Sequence, residues 1–207
     1  MSVIIRKYIK CAVCGKISQK PIILSTISFG GCDLDGRPHG LARKLLTFEL
    51  QECFRCGYVN YNIEVQPQLN FDEGKLQCDL ESELAFRYYK FAKYNARIGK
   101  HLLAFELFLS AAWACDDYKA KNDALKMRVE LIRIYENHKS KIKNLNSKSI
   151  LVDAYRRTRQ FQKAISLIDD VGIVRNKRLN KILAFQRELC NKKDDKCHNT
   201  NEIFDDR

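Results

Sequence analysis

One five-residue phrase occurs twice near the start of the chain: C11-A-V-C-G15 and C53-F-R-C-G57. Each copy brings two sulfurs onto one tight turn, and the glycine that follows can take the positive φ such a turn requires. Two turns supply four sulfurs, enough to close a tetrahedral shell around zinc at about 2.3 Å per Zn–S bond. Strand-favouring residues lie around both copies. The expected unit is therefore a zinc ribbon, a small antiparallel β structure holding one structural Zn2+ through Cys11, Cys14, Cys53 and Cys56. The long insertion between the copies costs little, because loop-closure entropy grows slowly with length. An iron centre of similar geometry satisfies the same spacing. A redox reading needs a CxxC at a helix N-terminus in a βαβ unit, and strand formers follow both copies here. A closed four-cysteine shell leaves no open position for substrate, so the metal is expected to hold the fold and the protein to be no enzyme.

The chain has nine cysteines in 207 residues. That density, with an odd count, points in a reducing compartment to metal rather than disulfides. The longest apolar run, P21-I-I-L-S-T-I-S-F29, is far below the about 20 residues that cross a bilayer. The opening MSVIIRKYIKC returns to charge before a signal-peptide core can form. A cytoplasmic protein without a membrane segment is the expectation. Cys115, after A111-A-W-A114, reads as a buried thiol on a helix. Cys78 and Cys190 fall at helix ends, and Cys197–His198 sits in a polar tail from about residue 191.

Two periods divide the chain. Up to about Gly74, β-branched and aromatic runs predict strands at Val3–Ile9, Ile22–Ile27, Leu45–Leu50 and Tyr58–Val65, with a glycine-rich loop over 28–41 and a linker from Pro67 to Gly74. Beyond it, apolar residues recur at i, i+3, i+4 and i+7 with no proline from Leu76 to Cys190, which predicts helices near 79–98, 100–116, 119–137, 147–158, 160–170 and 175–190. The short gaps make antiparallel hairpins. An α+β protein follows, with a zinc ribbon over 1–74 and a helical domain over 75–207.

The phrase L151-V-D-A-Y-R-R-T-R-Q-F-Q-K-A164 resembles the centre of a tetratricopeptide unit. Leu151 and Tyr155 match its first-helix anchors, and Phe161 and Ala164 match those of the second. Arg159 stands where that family has glycine. Ala104, Phe108 and Ala111 match an earlier second helix, but the spacing is irregular, so plain helical hairpins explain the same pattern.

Two further clusters carry potential chemistry. C32-D-L-D-G-R-P-H39 gathers Asp33, Asp35, Arg37 and His39 with Cys32. A thiol or metal enzyme would be built on this loop, 32–39; an Asx-turn with Arg37 paired to an aspartate explains it without chemistry. Trp113 to Asp117 ends a helix on two carboxylates, Asp116 and Asp117, placed to cap the next helix or to pair with Arg128.

The net charge of +12 is uneven: residues 1–75 hold 10 basic and 7 acidic side chains, residues 139–193 hold 15 and 4. Arg156, Arg157, Arg159 and Lys163 surround one hairpin turn, and Arg175, Lys177, Arg178 and Lys181 open the last helix, against its dipole. Such patches attract phosphates or acidic proteins.

Together, C11-A-V-C-G15, D33-L-D-G-R-P38, E52-C-F-R-C-G-Y58, A111-A-W-A-C-D-D117, A154-Y-R-R-T-R-Q-F-Q-K-A164, I182-L-A-F-Q186 and D195-K-C-H198 resemble a bacterial family known as a domain of unknown function. Its members join a zinc ribbon to a tetratricopeptide-like region. The resemblance covers most of the chain. It implies zinc at the four cysteines and a shared role for loop 33–38 and Trp113–Asp117, paired across the domain boundary. The expected function is a non-catalytic adaptor that binds an acidic protein or peptide in a basic helical groove. The second expectation is a nucleic-acid-binding accessory factor using the ribbon and the basic C-terminal helices.

Overall fold

The computed structural model describes residues 3–26, 30–71 and 79–204. Ile27, Cys78 and the last three residues of the expected linker, 72–74, fall outside them. Strands β1 (Val3–Lys10) and β2 (Ile17–Ser25) form an antiparallel hairpin in which Tyr8 faces Gln19 and Lys10 faces Ile17. The first cysteine pair is its turn. After loop 30–39 comes α1 (Gly40–Glu49), where a strand over Leu45–Leu50 was expected. The residues A42-R-K-L-L46 are strong helix formers, and Leu41, Leu45 and Phe48 share the helical spacing. Strands β3 (Gln51–Glu52) and β4 (Val59–Asn60) pair around the second cysteine turn. The expected strand 58–65 stops at Asn60 because Asn62 closes a turn, its Oδ1 accepting from the Glu64 amide at 3.0 Å.

The rest is helical: α2 (Glu83–Arg97), α3 (His101–Tyr118), α4 (Lys121–Asn137), α5 (Leu145–Arg157), α6 (Phe161–Val171) and α7 (Lys177–Asn191). Side chains of Ser82, Asn144 and Asn176 accept amide hydrogens at the starts of α2, α5 and α7, satisfying donors that a helix leaves unpaired. Helix α3 packs on both α2 and α4. Its apolar residues therefore cover nearly all sides, as a helix between two neighbours needs. No helix among the described residues is long and apolar enough to cross a membrane.

One turn recurs. After α2, α3, α5 and α7 the chain enters the left-handed region at Gly99, Lys119, Arg159 and Lys193. Each time the next amide reaches five residues back, as in Ala120 N–H to the Cys115 carbonyl and Gln160 N–H to the Tyr155 carbonyl. This is the Schellman ending. Arg159 thus occupies a position that favours glycine, as the sequence comparison of that turn implied.

The main core runs through all six helices and takes in Leu46, Leu50 and Val59 from the N-terminal part. A second cluster, Ile9, Cys11, Cys53, Tyr58 and Ile63, surrounds the cysteine turns. Phe71 bridges the two, with its ring 5.2 Å from Tyr58 and 5.4 Å from Tyr94.

Candidate metal centre and charged cavity

The two cysteine turns are the same structure used twice. Gly15 and Gly57 have φ of 71° and 65°. Their amides donate to the Cys11 and Cys53 carbonyls at 2.9 and 2.7 Å, while the Cys11 and Cys53 amides donate to Lys16 and Tyr58 carbonyls at 2.9 Å. The four sulfurs of Cys11, Cys14, Cys53 and Cys56 all lie within 4.8 Å of one another. Cys11–Cys56 and Cys14–Cys53 are 3.7 and 3.6 Å apart. Four sulfurs at about 2.3 Å from a central zinc stand about 3.8 Å apart, so the cluster is compatible with a single structural zinc. Burial disfavours the Cys53 thiolate, but the backbone amides of Cys56 and Arg55 outweigh it and hold the thiol down at about 7. Burial and the neighbouring sulfurs push Cys56 up to about 12. Four thiolates this close repel one another unless a cation sits among them. Among the described residues this is the one such gathering of three or more metal-ligating groups. Cys32 and His39 do not build a second one.

The loop residues go elsewhere. Asp33, Asp35, Arg37, Trp113, Asp116 and Asp117, which the resemblance paired across the domain boundary, meet in one place. Trp113 Nε1 donates to Asp35 Oδ2 at 2.9 Å. Asp35 is 2% exposed, with Arg128 at 3.7 Å and Arg157 at 3.8 Å. Asp116 takes Arg128 at 2.6 Å, Arg157 at 3.1 Å and Arg37 at 3.5 Å. Asp117 pairs with Arg37 and Arg43. Burial and the charge of Asp153 push the Asp35 carboxyl up to about 7 against the pull of Arg128 and Arg157. Asp35 Oδ1 also accepts from the Arg37 amide at 3.2 Å, an Asx-turn, as the loop composition suggested. Asp116 and Asp117 do not cap α4: its N-cap is Ala120, without a side-chain bond. Their carboxylates are spent on arginines instead.

The basic patch does not form one surface. Arg156 is fully buried: it pairs with Asp153 at 2.5 Å, donates to Gln186 Oε1 at 3.2 Å, and reaches the Asp194 and Lys196 carbonyls at 2.9 and 2.7 Å. Arg157 belongs to the carboxylate cluster. Arg159 faces Asp195 at 2.5 Å and Lys163 faces Glu136 at 2.9 Å. Arg175, Lys177, Arg178 and Lys181 stay exposed, with Arg178 and Lys181 over the Phe204 ring at 4.3 and 5.6 Å. A pattern of charge along a sequence does not say which cation meets a buried carboxylate.

Sequence reasoning missed the tail. Residues 194–204 return to the loop: Thr200 N–H donates to the Cys32 carbonyl at 2.8 Å, and Leu34 N–H to the His198 carbonyl at 3.0 Å. Asn199 caps a short 3-10 turn, Thr200–Glu202, through a capping box. That N199-T-N-E202 pattern was the available signal. The last turns of α3 and α5 and the tail after α7 thereby converge on the loop. Between them lies a cavity of about 570 Å³, lined by Asp33, Asp116 and Asp195 but by seven cations: Arg37, Arg43, Lys119, Lys121, Arg128, Arg157 and Lys196. Arg37 Nε is buried with no hydrogen-bond partner, and Asp33 Oδ2 stands 4.0 Å away.

No family model, curated protein or solved structure matches the chain. Its chemistry is read from its own residues.

Proposed function

We propose that the protein is a non-catalytic adaptor, stabilised by one zinc ion at Cys11, Cys14, Cys53 and Cys56, that holds an acidic segment of a partner protein in the cationic cavity. The observation that carries this reading is the excess of cations there, with Arg37 Nε left unmatched. The volume falls in the range of sites that enclose a ligand, about 300–1,000 Å³. Lys119, Lys121 and Lys196 have no carboxylate partner among the described residues and are exposed to an incoming chain. The hairpin α5–α6 supports a tetratricopeptide-like origin, since Arg159 sits at its left-handed turn and Ala164 is fully buried. This groove is basic, but its cations come from the loop at Arg37, α1, the end of α3, α4, the end of α5 and the tail rather than from the start of α7.

The test is fluorescence anisotropy of a labelled glutamate-rich peptide against the full-length, zinc-loaded protein across a salt series. Saturable binding that weakens with salt and is lost in Lys119→Glu/Lys121→Glu supports the reading. No binding to the wild-type protein at low salt overturns it.

A further inference from the structure

The β1–β2 hairpin carries a second surface, distinct from the cavity. The first acidic residue of the chain is Asp33; before it stand Arg6, Lys7, Lys10, Lys16 and Lys20. Side chains alternate across a strand, so Ile4, Arg6, Tyr8 and Lys10 share one face with their partners Ile23, Pro21, Gln19 and Ile17. The opposite face carries Ile9, which is buried against the cysteine turns. The first face has no such covering: Tyr8 is 77% exposed, and Arg6 and Lys10 on either side of it have no carboxylate partner among the described residues. Phe54, from the second cysteine turn, is 68% exposed beside Lys16, whose Nζ lies 5.3 Å from the ring centre. Phe54 and Gln19, the strand partner of Tyr8, line a common recess with Glu52, whose carboxylate is paired with Arg87 and Lys90. Arg55 is exposed on the same turn.

We infer that this face binds single-stranded nucleic acid. Two exposed aromatic rings among cations, with no acid in the hairpin, match what a single strand requires: a π-face for a base and positive charge for the phosphates on both sides of it. Arg6 and Lys10 are four strand residues apart, about 13 Å, so a base stacked on Tyr8 lies between two phosphate contacts. An acidic peptide would use the charges but leave the rings idle, and duplex DNA hides its base faces. The hairpin is tied to the second cysteine turn through the Cys11–Cys56 and Cys14–Cys53 contacts.

The experiment uses the full-length, zinc-loaded protein and fluorescence anisotropy with labelled random-sequence single-stranded DNA and RNA, the matching duplex, and the glutamate-rich peptide. Salt is varied between about 50 and 200 mM. The inference expects both single strands to bind more tightly than the duplex. Tyr8→Ala should weaken binding about five-fold or more at unchanged salt slope, as loss of one stacked base does, and Tyr8→Trp should restore it. Arg6→Glu/Lys10→Glu should reduce both affinity and slope. Lys119→Glu/Lys121→Glu should leave nucleic-acid binding intact, which separates this surface from the cavity. Zinc content and circular dichroism establish that each variant is folded. No binding of single strands at low salt overturns the inference. So does duplex binding as tight as single-strand binding with Tyr8→Ala silent, or loss of peptide binding, rather than strand binding, in the hairpin variants.

Discussion

Removing the Arg156 guanidinium tests the most deeply buried charge in the helical part. Arg156 has no exposed surface, and Asp153 beside it is 2% exposed. Arg156→Ala strands the Asp153 carboxylate, leaves Gln186 Oε1 without its donor, and frees the Asp194 and Lys196 carbonyls. Breaking a buried pair from one side costs about 3–5 kcal/mol. In a chain of this length about 1 kcal/mol moves the melting temperature by about 2–4 °C, so Tm should fall by roughly 6–20 °C. Because the two carbonyls belong to the tail, amide hydrogen exchange should rise at Thr200 and Leu34, whose bonds join tail to loop. Most of the loss belongs to the orphaned carboxylate, so Asp153→Leu added to Arg156→Met should recover more than half of it. A drop below about 1 kcal/mol, or a double variant no better than the single one, refutes this account.

Other consequences are simpler to state. Cys53→Ser or chelation should remove one zinc per chain, read by native mass spectrometry, and unfold residues 3–26 and 50–66, read by hydrogen exchange; structural zinc sites contribute on the order of 10–16 kcal/mol of apparent free energy. Asp35 has a folded pKa of about 7, above its ordinary 3.8. The folded state therefore binds the extra proton, and this group's contribution is favourable below pH 3.8 and lost as pH rises through 7. Urea midpoints of wild type relative to Asp35→Asn should accordingly fall across that window; a flat difference argues against the buried carboxyl. Lys193→Gly should stabilise by up to about 1 kcal/mol, because φ is 53° there and an L-residue pays for the left-handed region. Unchanged or lower stability in thermal melts would show that the cation–dipole interaction at the end of α7 outweighs that strain.

The cysteine turns were legible in the sequence because spacing alone brings two sulfurs together and the duplication completes the shell. The helices were legible to within a few residues because apolar periodicity outlasts any local ambiguity. Helix α1 was not, since the glycines and proline of the preceding loop hid the start of its period and Leu45–Leu50 resembles a strand in isolation. The charged cluster was half visible. D33-L-D-G-R37 and C115-D-D117 stood out as unusual, yet nothing local shows that Asp35 lies under Trp113. Lys119, Lys121 and Lys196 were invisible as site residues because lysines at helix ends read as solvent-exposed decoration. The inward turn of Arg156 depends on the tail arriving at its carbonyls, a long-range event that no window along the chain contains.

That tail gives the molecule a history as well as a shape. The contact between Cys32 and Thr200 spans 168 positions. At roughly 5–20 residues per second of synthesis, loop 32–38 waits about 8–34 seconds after leaving the ribosome before its partner exists. In that interval the cysteine turns and the helices can already fold and bring Trp113, Asp116 and Asp117 to Asp35 and Arg37, while the backbone groups of Cys32 and Leu34 still lack the tail. The tail side of the charged centre is therefore the last part to close, and a nascent chain with both cysteine turns in place is still an unfinished one.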